Sequence, residues 1–340
     1  MSAPLSLAGS TVLVTGAAGF IGAALSHRLL AGGARVIGCD NLNTYYDPAL
    51  KHARLEALLA KPEFSFRRLE ISEPGALGAL WRESAPDYVV HLAAQAGVRY
   101  SIEQPRAYAA ANLDGFLEVL EAARACPVKH LVYASSSSVY GANTKVPFSE
   151  RDPVEQPVSL YAATKRANEL MAQTYAHLYR IPATGLRFFT VYGPMGRPDM
   201  AYWGFTSALF SGAPINVFNH GQLWRDFTYV DEIVEAIARL APSPPAEPGE
   251  PGRVAPATPH RIFNIGNDTP VMVDDFLKIL ERLTGRTANR RDLPMQPGDV
   301  ERTWADVSAL RAAIGFAPRT TLEEGLSRFV AWYREYHQIR

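Results

Sequence analysis

Residues 11–22 read TVLVTGAAGFIG, and this stretch decides the fold. Its first five residues are β-branched or apolar, as expected of a strand that is buried on both faces. Gly16, Gly19 and Gly22 follow, and an apolar helical pattern covers residues 20–31. A strand, a glycine-rich turn and a helix in this order predict a phosphate-binding turn. The reason is that a helix N-terminus offers unpaired N–H groups and a partial positive charge to an anion.

The same alternation of strand and helix patterns continues through the first 190 residues. The predicted strands cover residues 11–15, 35–38, 64–69, 88–92, 130–134 and 184–189. The predicted helices cover residues 20–31, 48–59, 74–83, 105–125 and 160–178. Apolar strands that alternate with helices indicate βαβ units and a parallel sheet covered on both faces. The sequence therefore predicts an α/β fold with a Rossmann-type, doubly wound parallel sheet.

After residue 190 the pattern becomes irregular and rich in Gly, Pro and aromatic residues. Helices are predicted over residues 201–211, 230–240, 273–284 and 321–336. We predict a dinucleotide-binding domain over 1–190 and a smaller, mixed α/β substrate domain over 191–340. Some segments of the second half are expected to return to the first domain. Residues 241–259 (APSPPAEPGEPGRVAPATP) are Pro-rich, which predicts a mobile surface loop.

The composition argues against several other classes of protein. The 340 residues include 34 basic and 34 acidic side chains, a balance that disfavours a nucleic-acid-binding surface. Cys39 and Cys126 are too far apart in sequence to suggest a disulfide framework or a zinc site, and the eight histidines show no metal-binding spacing. No apolar run is long enough to cross a membrane, and no signal-peptide pattern opens the sequence. We expect a cytoplasmic protein without a metal, nucleic acid or membrane partner.

Asp40 ends the second predicted strand, 18 residues after Gly22. A carboxylate at this position accepts hydrogen bonds from both hydroxyls of a nucleotide ribose. It would also repel the 2′-phosphate that distinguishes NADP from NAD. The spacing therefore favours NAD as the cofactor.

Tyr161 and Lys165 form the only Y-x-x-x-K motif of the chain. Positions i and i+4 of a helix share a face, so both side chains project toward one site. A free phenol has a pKa of about 10 and is a poor base at neutral pH. A nearby ammonium and a positively charged nicotinamide ring would both favour the phenolate and lower that pKa. Ser135-Ser136-Ser137-Ser138 ends the fifth predicted strand, where its hydroxyls would face the binding crevice.

These motifs resemble the short-chain dehydrogenase/reductase superfamily, and the resemblance extends over almost the whole chain. The G-x-x-G-x-x-G spacing, His91-Leu92-Ala93-Ala94 and the Y-x-x-x-K motif carry it. The chain is most similar to the extended branch that acts on nucleotide sugars, and within it to UDP-glucuronate 4-epimerases. The runs that carry this closer likeness are residues 40–43 (DNLN), 95–101 (QAGVRYS), 188–201 (FFTVYGPMGRPDMA), 217–221 (VFNHG) and 225–227 (RDF). Glu70 and Met195 depart from residues common in relatives, Asp and Trp respectively.

The resemblance implies that NAD is bound tightly and that a defined set of residues contacts it. These residues are Gly16, Gly19, Phe20, Ile21, Gly22, Asp40, Asn41, Asn43, Glu70, Ile71, Leu92, Ala93, Ala94, Asn112, Tyr161 and Lys165. Lys165 is also expected to hold the nicotinamide ribose.

The resemblance further implies the reaction and the residues that bind the UDP-sugar. The reaction is the reversible C4 epimerisation of UDP-glucuronic acid to UDP-galacturonic acid through a 4-keto sugar, with Tyr161 as the base and Ser136 bound to the reacting oxygen. Ser137, Ser138, Thr190 and Arg197 are expected to contact the uronate end. Arg225 would meet the diphosphate, Phe218 the uracil region and Asp299 the uridine ribose. Arg99 and Val217 complete the implied substrate-binding set.

Two related reactions remain as alternatives. A 4-keto-uronic acid tends to lose carbon dioxide, and related decarboxylases carry a Glu where this chain has Ser137 and Ser138. Neutral hydroxyl donors would hold the carboxylate and oppose its loss, which disfavours a decarboxylase. A UDP-glucose/UDP-galactose 4-epimerase shares every catalytic residue. We expect Thr190 and Arg197 to separate the two, because a neutral sugar would leave Arg197 without an anionic partner.

Two further expectations concern catalytic competence and assembly. Tyr161, Lys165 and Ser136 are all intact, which argues against a non-catalytic NAD-binding regulator. The helices predicted over 105–125 and 160–178 resemble those that form a four-helix dimer interface in this family. Their Ala- and Leu-rich faces suit close packing, so a homodimer is expected.

Overall fold

The computed structural model describes residues 6–246, 258–295 and 300–339. Most of the predicted loop 241–259, namely residues 247–257, lies outside the described residues, and so does Asp299. The strands of the described part are β1 (Thr11–Thr15), β2 (Arg35–Asp40), β3 (Phe64–Arg68), β4 (Tyr88–His91), β5 (His130–Ser136), β6 (Ala183–Phe188), β7 (Thr190–Tyr192), β8 (Pro214–Phe218), β9 (Trp224–Tyr229), β10 (His260–Ile265), β11 (Pro270–Met272) and β12 (Asn289–Leu293).

The helices connect these strands and cover the sheets. They are α1 (Phe20–Ala31), α2 (Pro48–Leu59), α3 (Ala76–Ser84), α4 (Tyr100–Glu103), α5 (Pro105–Tyr108), α6 (Gly115–Ala125), α7 (Leu160–Tyr179), α8 (Ala201–Ser211), α9 (Val230–Leu240), α10 (Val273–Thr284), α11 (Ser308–Ile314) and α12 (Leu322–Tyr336). None of the helices in the described ranges is long and apolar enough to span a membrane.

Seven of these strands form one sheet in the order β10-β6-β5-β4-β1-β2-β3. All its pairings are parallel. The strand order reverses between β1 and β4, as it does in a doubly wound sheet, where ligands bind at this point. The predicted Rossmann-type α/β fold is therefore confirmed.

The side chains of the sheet alternate between two separate apolar layers. Val12 and Val14 of β1 point into a core with α1 and α9, where Leu25 and Ile237 are buried. Leu13 points to the other face, into a core with α3, α6 and α7. The period of two along a strand sends neighbouring residues to opposite faces, so a strand buried on both faces is apolar at every position.

One strand of this first sheet and one helix that covers it come from the second half of the chain. β10 pairs with β6 over six residues, from His260↔Ala183 to Ile265↔Phe188, and forms the edge of the sheet. Helix α9 packs against α1 and contributes Ile233 and Ile237 to the same core. Residues after 190 thus complete the sheet that residues before 190 begin. The domain boundary at residue 190 stays a prediction.

A further core, separate from the two apolar layers of the first sheet, lies around the sheet β11-β9-β7 and the parallel pair β12-β8. It is rich in aromatic side chains, including buried Tyr192, Tyr202, Phe227, Phe276 and Phe329. Tyr202 and Phe329 meet edge to face, with ring centres 4.9 Å apart. Such pairs stabilise a core beyond the area they bury.

The helix predicted over residues 105–125 forms without a break, but its middle is a π-helical turn that was not predicted. The chain forms α5, then a π-helical turn at Ala109–Asp114, then α6. Asn112 explains the wider turn, because its Oδ1 accepts from the Gln95 N–H at 2.8 Å and its Nδ2 donates to the Gln95 carbonyl at 3.0 Å. Its own carbonyl accepts from Asn168 Nδ2 at 2.6 Å. π-turns of this kind are common at functional sites.

A buried ion pair joins helix α7 to the sheet. Arg187 Nε donates to Glu169 Oε1 at 2.8 Å and Arg187 Nη2 to Oε2 at 2.9 Å. The Ser135 hydroxyl also donates to Glu169 Oε1, at 2.7 Å. Burial alone would raise the pKa of Glu169, but Arg187 and Ser135 hold it below its ordinary value. The pair fixes β6 against α7, and Ser135 fixes the end of β5 to the same carboxylate. The elements β5 and α7 carry the serine run and Tyr161.

Replacing Glu169 by Gln would leave the Arg187 guanidinium buried without a carboxylate. We expect the free energy of unfolding to fall by about 3–5 kcal/mol, the usual cost of removing one partner of a buried pair. The matched control is Glu83→Gln, because the side chains of the Arg67–Glu83 pair are 53% and 65% exposed. That change should cost no more than about 1 kcal/mol. Urea denaturation measures both, and equal losses would contradict the structural role of Glu169.

Candidate active site

A cavity of about 460 Å³ lies at the carboxyl ends of the parallel strands. Its walls come from the turn after β1, the loops after β2 and β4, the serine run after β5 and the segment after β6. Because parallel strands end at the same edge of a sheet, side chains far apart in sequence meet here. The described residues contain no group of three or more His, Cys, Asp or Glu side chains arranged to hold a metal ion.

Most of the predicted site residues line this one cavity. They are Gly16, Gly19, Phe20, Ile21, Gly22, Asp40, Asn41, Asn43, Glu70, Ile71, Leu92, Ala93, Ala94, Ser136, Ser137, Ser138, Tyr161, Lys165, Thr190, Arg197 and Arg225. Asn112, Arg99, Val217 and Phe218 are not in its lining. Asn112 instead holds the backbone of Gln95, which does line the cavity. The Arg99 guanidinium lies 5.1 Å from the centre of the Phe218 ring.

The glycine turn after β1 packs so closely against neighbouring backbone that it has no space for a side chain at Gly16 or Gly22. Gly16 has φ +72°, and a Cβ there would lie 2.8 Å from the Ala93 nitrogen. A Cβ at Gly22 would lie 2.0 Å from the Gly16 carbonyl oxygen. The glycines therefore let the turn approach both the loop after β4 and the start of α1. The N-terminus of α1 opens beside the turn, as a pyrophosphate site requires.

Carboxylates and amides line the cavity beyond β2. Asp40 is buried, and its Oδ1 accepts from the Leu42 N–H at 2.8 Å. Asn41 Nδ2 donates to Glu70 Oε2 at 2.7 Å. Burial would raise the pKa of Glu70, but its hydrogen bonds hold that pKa below the ordinary value. A ribose and an adenine ring are the groups that such a set of acceptors and amides suits.

Lys51 is a cavity residue that the sequence interpretation missed. It lies on α2 and is 5% exposed, with Nζ 2.9 Å from Asn43 Oδ1 and 3.9 Å from Asp40 Oδ1. Burial lowers the pKa of its ammonium, and Asp40 opposes this effect. Lys51 therefore offsets the negative charge of Asp40 inside the cavity wall.

Arg54, on the same helix, was also missed. Only 2% of the residue is exposed, and its guanidinium reaches two loops at once. Nη1 donates to the Ala18 carbonyl in the glycine turn at 3.0 Å. Nη2 donates to the carbonyls of Met195 and Gly196 at 2.6 and 2.8 Å. Nη1 also donates to the Tyr46 hydroxyl at 2.7 Å. One buried side chain thus joins the glycine turn to the loop that carries Arg197.

Tyr161 and Lys165 lie in the first turns of α7. The helix begins at a Ser159 cap, whose Oγ accepts from the Ala162 N–H at 3.1 Å. Tyr161 and Ser136 both line the cavity, and the Ser136 hydroxyl acts to lower the pKa of the Tyr161 phenol. Lys165 donates from Nζ to the Ala134 carbonyl at 2.9 Å.

The electrostatics at Tyr161 differ from the sequence-based expectation. Burial raises the pKa of Tyr161, while the Ser136 hydrogen bond and the positive charge of Arg197 act to lower it. We expected Lys165 to supply that positive charge. Its ammonium is bound to the Ala134 carbonyl instead, and burial lowers the pKa of Lys165 to about 8.

Arg197 has an anionic partner within its own chain. Its Nε donates to Asp199 Oδ1 at 3.0 Å and its Nη2 to Oδ2 at 2.5 Å. The Tyr45 hydroxyl donates to Asp199 Oδ2 at 3.1 Å. Burial works against both charges, yet the pairing raises the pKa of Arg197 and lowers that of Asp199. The argument that a neutral sugar would leave Arg197 unpaired is therefore wrong.

Comparison with known proteins identifies the class. Residues 12–266 match the NAD dependent epimerase/dehydratase family. The chain is 46% identical over 335 residues to a probable UDP-glucuronate 4-epimerase of Rhizobium meliloti, covering 96% of this chain and 97% of that protein. The chain belongs to the NAD dependent epimerase/dehydratase family.

Solved structures show the same similarity. The UDP-glucuronic acid 4-epimerase of Bacillus cereus, in complex with UDP-glucuronic acid and NAD, has a TM-score of 0.86 at 30% identity. That match covers 96% of this chain and 99% of the other. The UDP-glucose 4-epimerase of Thermotoga maritima, with UDP-glucose, has a TM-score of 0.83 at 30% identity, with the same coverage.

Replacing Arg54 by Lys would keep the positive charge but remove the planar set of N–H donors of the guanidinium. The carbonyls of Ala18, Met195 and Gly196 could then no longer all be satisfied. We expect the free energy of unfolding to fall by about 1–3 kcal/mol, the cost of buried polar groups without partners. NAD should also bind more weakly, because the glycine turn loses its support. Urea denaturation and titration calorimetry with NAD measure the two effects.

The control for this change is Arg35→Lys, which alters an exposed arginine at the start of β2. It should change neither quantity. If Arg54→Lys behaved like this control, Arg54 would not support the two loops.

Proposed function

We propose that the protein catalyses the reversible C4 epimerisation of UDP-glucuronic acid and UDP-galacturonic acid. The observation that carries the proposal is the meeting of three groups at one end of the cavity. Tyr161, Ser136 and Arg197 line the same cavity, and both Ser136 and the charge of Arg197 act to lower the pKa of the Tyr161 phenol. A base, a hydroxyl donor and a cation for a carboxylate are what the 4-hydroxyl and the uronate of this sugar require. The names of the relatives support the same substrate.

The residues present fit NAD as the cofactor. The glycine turn at the N-terminus of α1 suits its pyrophosphate, and Asp40 suits its adenosine ribose. Lys165 would hold the nicotinamide ribose. Bound NAD supplies a reversible hydride acceptor, so the whole reaction needs no external reductant.

The protein's own part in the reaction is to move a proton and to position the sugar. Tyr161 takes the proton from the 4-hydroxyl and returns it after the 4-keto sugar has turned within the cavity. Ser136 lines the same cavity, and its hydroxyl would hold the reacting oxygen beside the phenol. Because burial raises the pKa of Tyr161, the charge of Arg197 and the Ser136 hydrogen bond are needed to favour the phenolate.

The cavity offers neutral hydroxyl donors to the uronate end of the sugar, and these would oppose the loss of carbon dioxide. Ser137, Ser138 and Thr190 line the cavity beside Arg197 and offer neutral donors to a carboxylate. Such donors stabilise the negative charge on the carboxylate, whereas decarboxylation must move that charge into the sugar. The serines thus favour epimerisation over decarboxylation.

One observation favours a second candidate, the C4 epimerisation of UDP-glucose. Asp199 already neutralises Arg197, so the site does not require an anionic sugar. The similarity to the Thermotoga maritima UDP-glucose 4-epimerase fits this candidate too.

Product analysis tests the proposed function directly. Incubation of the protein with UDP-glucuronate and no added reductant should give UDP-galacturonate on chromatography, without release of carbon dioxide. Tyr161→Phe should lower kcat by about 10²–10⁴-fold, since it removes the proton acceptor. The same variant should still bind UDP-glucuronate. A UDP-pentose product would identify a decarboxylase, and turnover of UDP-glucose alone would favour the second candidate.

The protein is further proposed to act as a cytoplasmic homodimer. Leu117 of α6 and Leu170 and Leu178 of α7 are 40%, 52% and 59% exposed, on the two helices expected at the interface. Large apolar side chains on adjacent exposed helices are typical of a contact with a second copy.

Leu170→Glu should shift the protein to a monomer, because a charge would be buried in the contact. Analytical ultracentrifugation measures the mass. Leu59→Glu is the matched control, since Leu59 is 58% exposed on α2 and away from α6 and α7. A dimer that survives Leu170→Glu, or a control that dissociates equally, would argue against this interface.

A further inference from the structure

The cation that would meet the substrate's carboxylate is already bound to a carboxylate of the same chain. Asp199 binds the Nε and Nη2 edge of Arg197 with both oxygens, at 3.0 and 2.5 Å. This two-point geometry is the strongest arrangement between a guanidinium and a carboxylate. An incoming uronate therefore meets a pair without net charge instead of a lone cation.

We propose that Asp199 competes with the substrate's C6 carboxylate for Arg197 and so limits the preference of the site for uronates over neutral hexoses. The inference rests on the proposed function, because it concerns the same subsite. Two carboxylates around one guanidinium repel each other, and they do so more strongly in a site that excludes water. A neutral hydroxymethyl group at C6 meets no such repulsion. Asp199 thus weakens uronate binding selectively.

The surroundings of Asp199 allow this exchange. The Tyr45 hydroxyl donates to Asp199 Oδ2 at 3.1 Å, which gives the carboxylate a partner that does not depend on Arg197. Gly97 packs closely against both groups, since a Cβ there would lie 2.9 Å from the Tyr45 oxygen and 3.7 Å from Asp199 Oδ2 and would crowd them. When Arg197 turns toward the sugar, Asp199 still keeps one donor. The Asp199 carboxylate therefore keeps a hydrogen bond after the exchange.

The exposure of the pair also fits a contact that can change. The side chains of Arg197 and Asp199 are 25% and 26% exposed. Arg54, which fixes the same loop from behind, is 2% exposed and bonded to several backbone carbonyls. The backbone of the loop is thus held in place, while the ion pair on its cavity side is partly exposed. Exchanging the partners of a partly exposed pair costs less than breaking a fully buried one.

Asp199→Asn tests the proposal, because it removes the charge and keeps the shape. Titration calorimetry with the NAD-saturated protein gives Kd for UDP-glucuronate and for UDP-glucose. We expect the ratio of the UDP-glucose Kd to the UDP-glucuronate Kd to rise about tenfold, which corresponds to ~1.4 kcal/mol. An unchanged ratio would overturn the proposal. A lower ratio would also overturn it, since it would mean that Asp199 orients Arg197 for the substrate.

Tyr45→Phe is the matched control, because it removes a hydrogen bond from the same carboxylate without changing any charge. It should leave the ratio close to that of the unmodified protein. If it raised the ratio as much as Asp199→Asn, loosening of the loop would be the cause and the competition would be refuted. Asp199→Ser provides a second neutral variant, which must shift the ratio in the same direction. Each titration uses the variant combined with Tyr161→Phe, which should bind UDP-glucuronate without turning it over, so this test does not depend on the outcome of product analysis.

Discussion

The geometry of the active site depends on the buried guanidinium of Arg54. The two ends of the cavity are built from irregular loops, whose carbonyls have no partners in a helix or sheet. Arg54 satisfies Ala18 in the glycine turn and Met195 and Gly196 in the loop before Arg197. A rigid, planar group with several donors can do this, whereas a flexible ammonium cannot. One side chain thus links the turn after β1 of the parallel sheet to the loop after β7 of the second sheet, and so joins the cofactor end of the cavity to the sugar end.

Much of the fold and many cavity residues could be predicted from the sequence, for a definite physical reason. Strands buried on both faces are continuously apolar, and parallel strands end at one edge, so Gly16, Asp40 and the serines had to lie near one another. Lys51 and Arg54 were missed because a cation on a helix is usually exposed. The signal was their position on the face of α2 that also carries buried Leu50 and Leu55. The π-turn at Asn112 was not predictable, since it depends on contacts with Gln95 and Asn168 that local sequence does not contain.

The positive charges near Tyr161 have different roles. One belongs to Lys165, which is part of the Y-x-x-x-K motif, and the other to Arg197, which is not. The Y-x-x-x-K spacing brings Lys165 to the right face of α7, yet its ammonium binds the Ala134 carbonyl. Burial raises the pKa of the phenol, and the charge that opposes this rise comes from Arg197, which the motif does not include. Arg197 in turn is balanced by Asp199. The basicity of Tyr161 is therefore linked to the group that binds the far end of the sugar, so the carboxylate subsite and the proton-transfer step share one cation.

The path of the chain through the first sheet has a consequence for how the protein folds as it is synthesised. β10 and α9 follow residue 190, yet they supply the edge strand and part of the apolar layer over α1. While the ribosome has released only the first half, β6 has an unpaired edge and the layer lacks Ile233 and Ile237. Unpaired edges and exposed apolar layers promote aggregation. The first sheet is therefore complete only after residue 265 has been synthesised, and the nascent chain can misfold until then.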